Sequence, residues 1–168
     1  GRRDAYLQNL QQELQVNFSS KAVLCDELQV CVSFQSDRSK EWNQKTKDIL
    51  EVQKRWELVG GLPRAKAKDI NRRFWSAFKT FFNNKNAFFK KLDEEREQNL
   101  QVKNDLVKRA LELKESSDWE KTSNELKNLQ QKWKEVGPVP EKFREKVFKE
   151  FKEACDHFFE QRRTQHDK

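Results

Sequence analysis

The stretch WELVGGLP occupies residues 56–63, and WKEVGPVP occupies residues 133–140. Nearly the same eight letters recur 77 positions apart. Apart from Gly1, every Gly and Pro of the chain lies in these two stretches: Gly60, Gly61 and Pro63, then Gly137, Pro138 and Pro140. These residue types are the strongest local breakers of regular structure. Everything between them is free to be helix, so the two stretches read as matching corners. Gly60 and Gly137 are expected in the left-handed conformation just past a helix end. Pro63 and Pro140 suit the first turn of the following helix, where the missing N–H is no loss.

The segments before the corners repeat as well. Trp119, Thr122, Leu126, Leu129, Trp133 and Val136 recur at intervals of 3, 4, 3, 4 and 3. That is an apolar seam along one helix face. Trp42, Lys45, Ile49, Val52, Trp56 and Val59 keep the same intervals. Ser117 and Glu120 have the spacing of a capping box that starts the second of these helices.

The repeat extends both ways. Upstream, Asn17, Lys21 and Leu24 match Asn99, Lys103 and Leu106 at an offset of 82. Downstream, Trp75 and Phe78 pair with Phe148 and Phe151 at 73, and Phe88-Phe89 pairs with Phe158-Phe159 at 70. Each copy then reads as three helices: roughly 17–34, 40–59 and 65–90, and roughly 99–115, 118–136 and 141–163. Residues 83–116 hold neither Gly nor Pro. The third helix of the first copy should therefore run into the first helix of the second, a span of about 50 residues or roughly 75 Å. The expected fold is all-α: tandem antiparallel three-helix bundles sharing one long continuous helix, a spectrin-like arrangement. In this division, residues 1–16 are the tail of a preceding linking helix, 17–90 the first repeat, 91–98 a helical linker, 99–163 the second repeat and 164–168 a disordered tail.

The motif built from Ser117-Asp118-Trp119, Leu126-Lys127, Leu129-Gln130, Trp133-Lys134, Gly137-Pro138-Val139-Pro140, Phe151, Ala154-Cys155-Asp156 and Phe158-Phe159 resembles domain of unknown function family 349. That family is a bacterial helical repeat, often found in tandem. The first copy departs from the pattern, with Lys45 in the seam and Gly61 in place of a Pro. The resemblance implies no catalytic residue and no cofactor.

Composition agrees with a helical reading. Charged residues make up 38% of the chain, against about 25% in ordinary domains. Such polarity also fits disorder, but five Trp and thirteen Phe argue for a packed core. No apolar run approaches the roughly 20 residues that span a bilayer, and no signal peptide is visible. The chain opens on Gly1 and has no Met, so Gly1 reads as a cloning scar on a piece of a longer protein. The cysteines, Cys25, Cys31 and Cys155, are odd in number and lack C-x-x-C spacing. They read as reduced, partly buried thiols of a cytosolic protein. A metal site would need clustered Cys and His. His157 falls two residues from Cys155, on a different helical face.

The net charge of +7 is unevenly spread. Residues 21–90 hold 15 basic and 8 acidic side chains, whereas residues 91–168 hold 18 of each. The excess is densest in NRRFWSAFKTFFNNKNAFFKK, residues 71–91. On a helical wheel Phe74, Trp75, Phe78, Phe81, Phe82, Phe88 and Phe89 share an arc of about 140°. A coherent arc reads as core, since each buried Phe is worth about 1.5–3 kcal/mol. The alternative is a base-stacking platform; on the core reading, one or two rings at the edge of the arc, Trp75 or Phe82, are expected to be partly exposed. Lys68, Arg72, Lys79 and Lys90 line one flank, Arg73, Lys66 and Lys91 the other, and Asn83 and Asn84 the outer side.

A solvated flank is the ordinary reading of such a stripe. The second copy, however, builds the same framework with balanced charge. Unpaired Lys and Arg attract phosphate backbones without reading sequence. The expected function is a non-catalytic module that binds RNA or a ribosomal surface through Lys68, Arg72, Arg73, Lys79 and Lys90. Neither a cofactor, a small-molecule substrate nor a membrane is expected, and no Gly-rich phosphate loop or Ser/Cys–His–acid arrangement is present. The alternative is a protein scaffold or spacer that docks protein partners.

Overall fold

The computed structural model describes residues 1–166. It contains five helices: α1 (Arg2–Val32), α2 (Ser39–Leu58), α3 (Arg64–Leu113), α4 (Trp119–Glu135) and α5 (Glu141–His166). Among the described residues there is no strand, and no helix is long and apolar enough to cross a membrane. The chain divides into two compact units, Gly1–Phe89 and Lys90–Lys168. Helix α3 belongs to both and is unbroken for 50 residues. Its continuity follows from sequence: nothing within it lacks a backbone N–H or favours a non-helical backbone. Helix α5 runs on to His166, while residues 167 and 168 of the expected disordered tail lie outside the described residues.

Within the first unit, cross-helix contacts define the directions. Glu27 meets Arg55 and Phe34 meets Trp42, so α1 and α2 are antiparallel. Cys25 donates to the Ile70 carbonyl and Asn84 to the Val32 carbonyl, so α1 and residues 64–89 of α3 are parallel. Trp56 stacks on Phe74 and Trp42 packs on Phe81, so α2 and α3 are antiparallel. The unit is an up-down-up three-helix bundle. The second unit repeats the pattern: Arg109 meets Glu125, Trp119 meets Phe158, and Trp133 stacks on Phe151.

These contacts correct the downstream register. Trp42–Phe81 and Trp119–Phe158 both have ring centroids 5.6 Å apart and planes inclined by 40°. Trp56–Phe74 and Trp133–Phe151 are stacked at 4.0 and 4.4 Å. Each pair is related by the same 77 residues as the corners, not by 73 or 70. Phe88-Phe89 is an additional pair one heptad beyond Phe81-Phe82, and Phe88 stacks on Trp42 with ring centroids 5.6 Å apart. A four- or seven-residue slip leaves the apolar azimuth almost unchanged, so the wheel alone cannot see it. The upstream offset of 82 holds, as Asn17 and Asn99 make the same contact in their units.

The corners differ from expectation in mechanism. No glycine has positive φ. Both helices end on an extended valine, Val59 and Val136, with φ −74° in each case. What the glycines provide is room. The Asn17 amide donates to the Gly61 carbonyl and the Asn99 amide to the Pro138 carbonyl, each at 2.8 Å. A Cβ on Gly60 would stand 3.1 Å from Asn17 Nδ2, and one on Gly137 only 2.9 Å from Asn99 Nδ2. One turn further along, Lys21 and Lys103 lie 4.3 and 4.6 Å above the rings of Trp56 and Trp133. Burial lowers the pKa of both ammonium groups. Each corner is thus clamped by an Asn and a Lys four residues apart on the first helix of its repeat.

The start of α4 also differs. Its cap is Asp118, whose carboxylate accepts from the Lys121 N–H, while Ser116 accepts from the Asp118 N–H. Ser117 and Glu120 therefore do not form the cap, because Ser117 lies one residue outside the capping position. Lys45 occupies its seam position by placing its ammonium 5.3 Å from the Phe34 ring, so its stem covers the core edge. The three thiols are free and buried, and burial pushes each pKa up.

Candidate nucleic-acid interface

The aromatic arc of α3 resolves into a core and one exposed ring. Phe74 and Phe81 are fully buried, and Phe78, Phe82, Phe88 and Phe89 pack partly buried around them. Trp75 is 40% exposed. Its ring is braced at the edges by Phe74 and Phe78, with centroids 4.9 and 5.2 Å away.

Lys68, Arg72 and Lys79 are all exposed. They stand seven and three residues before Trp75 and four after it. At 100° per residue the four side chains share an arc of about 60° and span about 16 Å of helix axis. Trp75 therefore stands at the edge of the apolar arc, as the sequence reading had it, and borders the basic stripe. Arg72 reaches Asp69 at 4.0 Å, with both side chains largely exposed; such a pair contributes little and leaves the charge available. Among the described residues Lys68 and Lys79 have no ion pair.

Among the other expected cations, Arg73 and Lys66 are engaged with α1. Arg73 turns toward α1 and bonds Asp26, so its charge is matched within the bundle. Lys90 is exposed and is the first residue of the second unit. Lys66 lies over the Phe18 ring at 4.6 Å, and Lys85 is shared between Phe82 and Phe89. Asn84 is not on the outer side, since it donates to the last carbonyl of α1, Val32.

The equivalent face of the second unit, 77 residues on, carries Glu145, Lys149, Lys152 and Asp156. Lys152 takes the place of Trp75. Lys149 pairs with Glu153 at 3.9 Å and Lys152 with Asp156 at 3.8 Å. At these four positions the first repeat carries Lys, Arg, Trp and Lys and the second Glu, Lys, Lys and Asp, so the first face has a formal charge of +3 and the second of zero. Charge on the first face is not required by the fold. Among the described residues no group of three or more His, Cys, Asp or Glu could hold a metal ion. His157 lies 2.8 Å from Glu115, away from any thiol partner.

A family model described as Domain of Unknown Function (DUF349) matches residues 1–65 and, separately, residues 69–142. Two matches to one model are what a tandem repeat produces. No curated protein and no solved structure matches the chain.

Proposed function

The chain belongs to the DUF349 family, and from that premise we propose that it is a non-catalytic helical module that binds RNA, free or at a ribosomal surface, through the Lys68–Arg72–Lys79 stripe. The observation that carries this reading is the contrast between equivalent faces of two repeats that share the same 77-residue contact register. Where the second balances two lysines with two acids, the first carries three cations, of which Arg72 meets the exposed Asp69. Three cations within about 16 Å neutralise phosphates without reading base sequence. Arg73 contributes less, because Asp26 already holds it.

Binding of a labelled RNA, followed by fluorescence anisotropy, should weaken with salt. Three neutralised phosphates give a slope of log K on log salt of about −2 to −3. The triple variant Lys68→Glu/Arg72→Glu/Lys79→Glu should lose binding with an unchanged helical circular dichroism spectrum. Undiminished affinity in that variant discards the reading.

A second reading, a protein scaffold, is favoured by the first turns of α1. Tyr6, Leu7 and Leu10 are 66%, 45% and 37% exposed. At the upstream offset of 82 they correspond to Phe88, Phe89 and Leu92, of which the two phenylalanines close the core of the first unit. On this reading residues 1–16 end a helix of another repeat and dock its core. A partner retained after nuclease treatment and lost in Leu7→Glu/Leu10→Glu would support it.

A further inference from the structure

We propose that Trp75 is a base-stacking residue, so that the nucleic acid bound by the stripe is single-stranded at the point of contact. This rests on the RNA-binding reading above and narrows its ligand. Of the five tryptophans, Trp42 and Trp56 are buried and Trp119 and Trp133 partly buried in seams that each repeat needs. Trp75 is the exception. It is 40% exposed, and its position is filled by Lys152 in the other repeat, where the aromatic on that face is Phe148, one turn earlier and tilted toward Trp133. Packing against Phe74 and Phe78 accounts for the braced edges of the Trp75 ring and leaves part of the indole open. Its helical neighbours at −7, −3 and +4 are Lys68, Arg72 and Lys79, which would hold the backbone of a strand whose base lies on the indole.

The chemistry selects against a duplex. In a helix the base faces are covered by their neighbours, whereas an unpaired base offers one to an aromatic side chain. The bracing of the Trp75 ring against Phe74 and Phe78 means little rotamer freedom is lost on stacking. Stacking on one base corresponds to about 5- to 150-fold in affinity.

The test compares a 12-nucleotide single-stranded RNA with a duplex of equal length, using the full chain. Trp75→Ala should lose about 5- to 150-fold on the single strand, with duplex affinity and the salt slope unchanged; Trp75→Phe should keep most of the single-strand affinity. Quenching of indole fluorescence on adding the single strand should vanish in Trp75→Ala. If Trp75→Ala binds the single strand as tightly as the wild type while the triple charge variant does not, stacking is overturned and the RNA reading stands. If the charge variant binds normally, or the wild type binds neither RNA, both fall. Trp75-dependent capture of a protein that survives nuclease, without RNA affinity, also overturns the proposal.

Discussion

Gly137→Ala separates two explanations of the corner. If glycine were needed for a left-handed backbone, the substitution would be destabilising whatever its neighbours. The φ angles there are not positive, so alanine is conformationally acceptable and restricts the unfolded chain, a gain of about 0.4–1 kcal/mol. Against this stands the 2.9 Å approach of its Cβ to Asn99 Nδ2. The amide is the end of a flexible side chain and can swing aside, but only by giving up its bond to the Pro138 carbonyl. That loss costs about 0.5–1.5 kcal/mol. The two effects leave Gly137→Ala near neutral, between about 0.5 kcal/mol stabilising and 1 kcal/mol destabilising. The informative quantity is the coupling. In an Asn99→Ala background there is nothing left to displace, and Gly137→Ala should stabilise by the full 0.4–1 kcal/mol or so. A double-mutant cycle in urea, read by circular dichroism, should therefore show an interaction of about 1 kcal/mol. A Gly137→Ala cost that persists unchanged without Asn99 would refute the clamp and restore the backbone explanation.

The register makes its own prediction. Phe81 is fully buried between Trp42 and Phe34, so Phe81→Ala should destabilise the first unit by about 3–5 kcal/mol. Phe88 is only partly buried, and Phe88→Ala should cost visibly less in the same urea titration; the reverse order would restore an offset of 70. The thiols should be silent toward an aromatic disulfide reagent at pH 8, because all three are buried and burial pushes their pKa up. Three equivalents should react at once on unfolding, and rapid native labelling of any one would contradict the packing.

Part of the candidate site was legible before folding was considered. Lys68, Arg72 and Lys79 stand out because α3 has one acid, Asp69, between residues 64 and 91. Arg73 was expected to join them from the opposite flank, since nothing local reveals that Asp26, 47 residues earlier, reaches it. The roles of Asn17 and Asn99 were hidden likewise. Their repetition was plain, but their partners lie 44 and 39 residues away.

Sequence alone determined that the chain is helical, that it turns at two Gly-Pro corners, and that α3 runs unbroken from one repeat into the next. Those are properties of local backbone chemistry and of an apolar period, and both are written residue by residue. Tertiary structure decided the axial height of each helix against its partners, and with it which Phe meets which Trp. A period specifies azimuth and is blind to a slip of one or two turns. Contacts between distant residues lift that degeneracy.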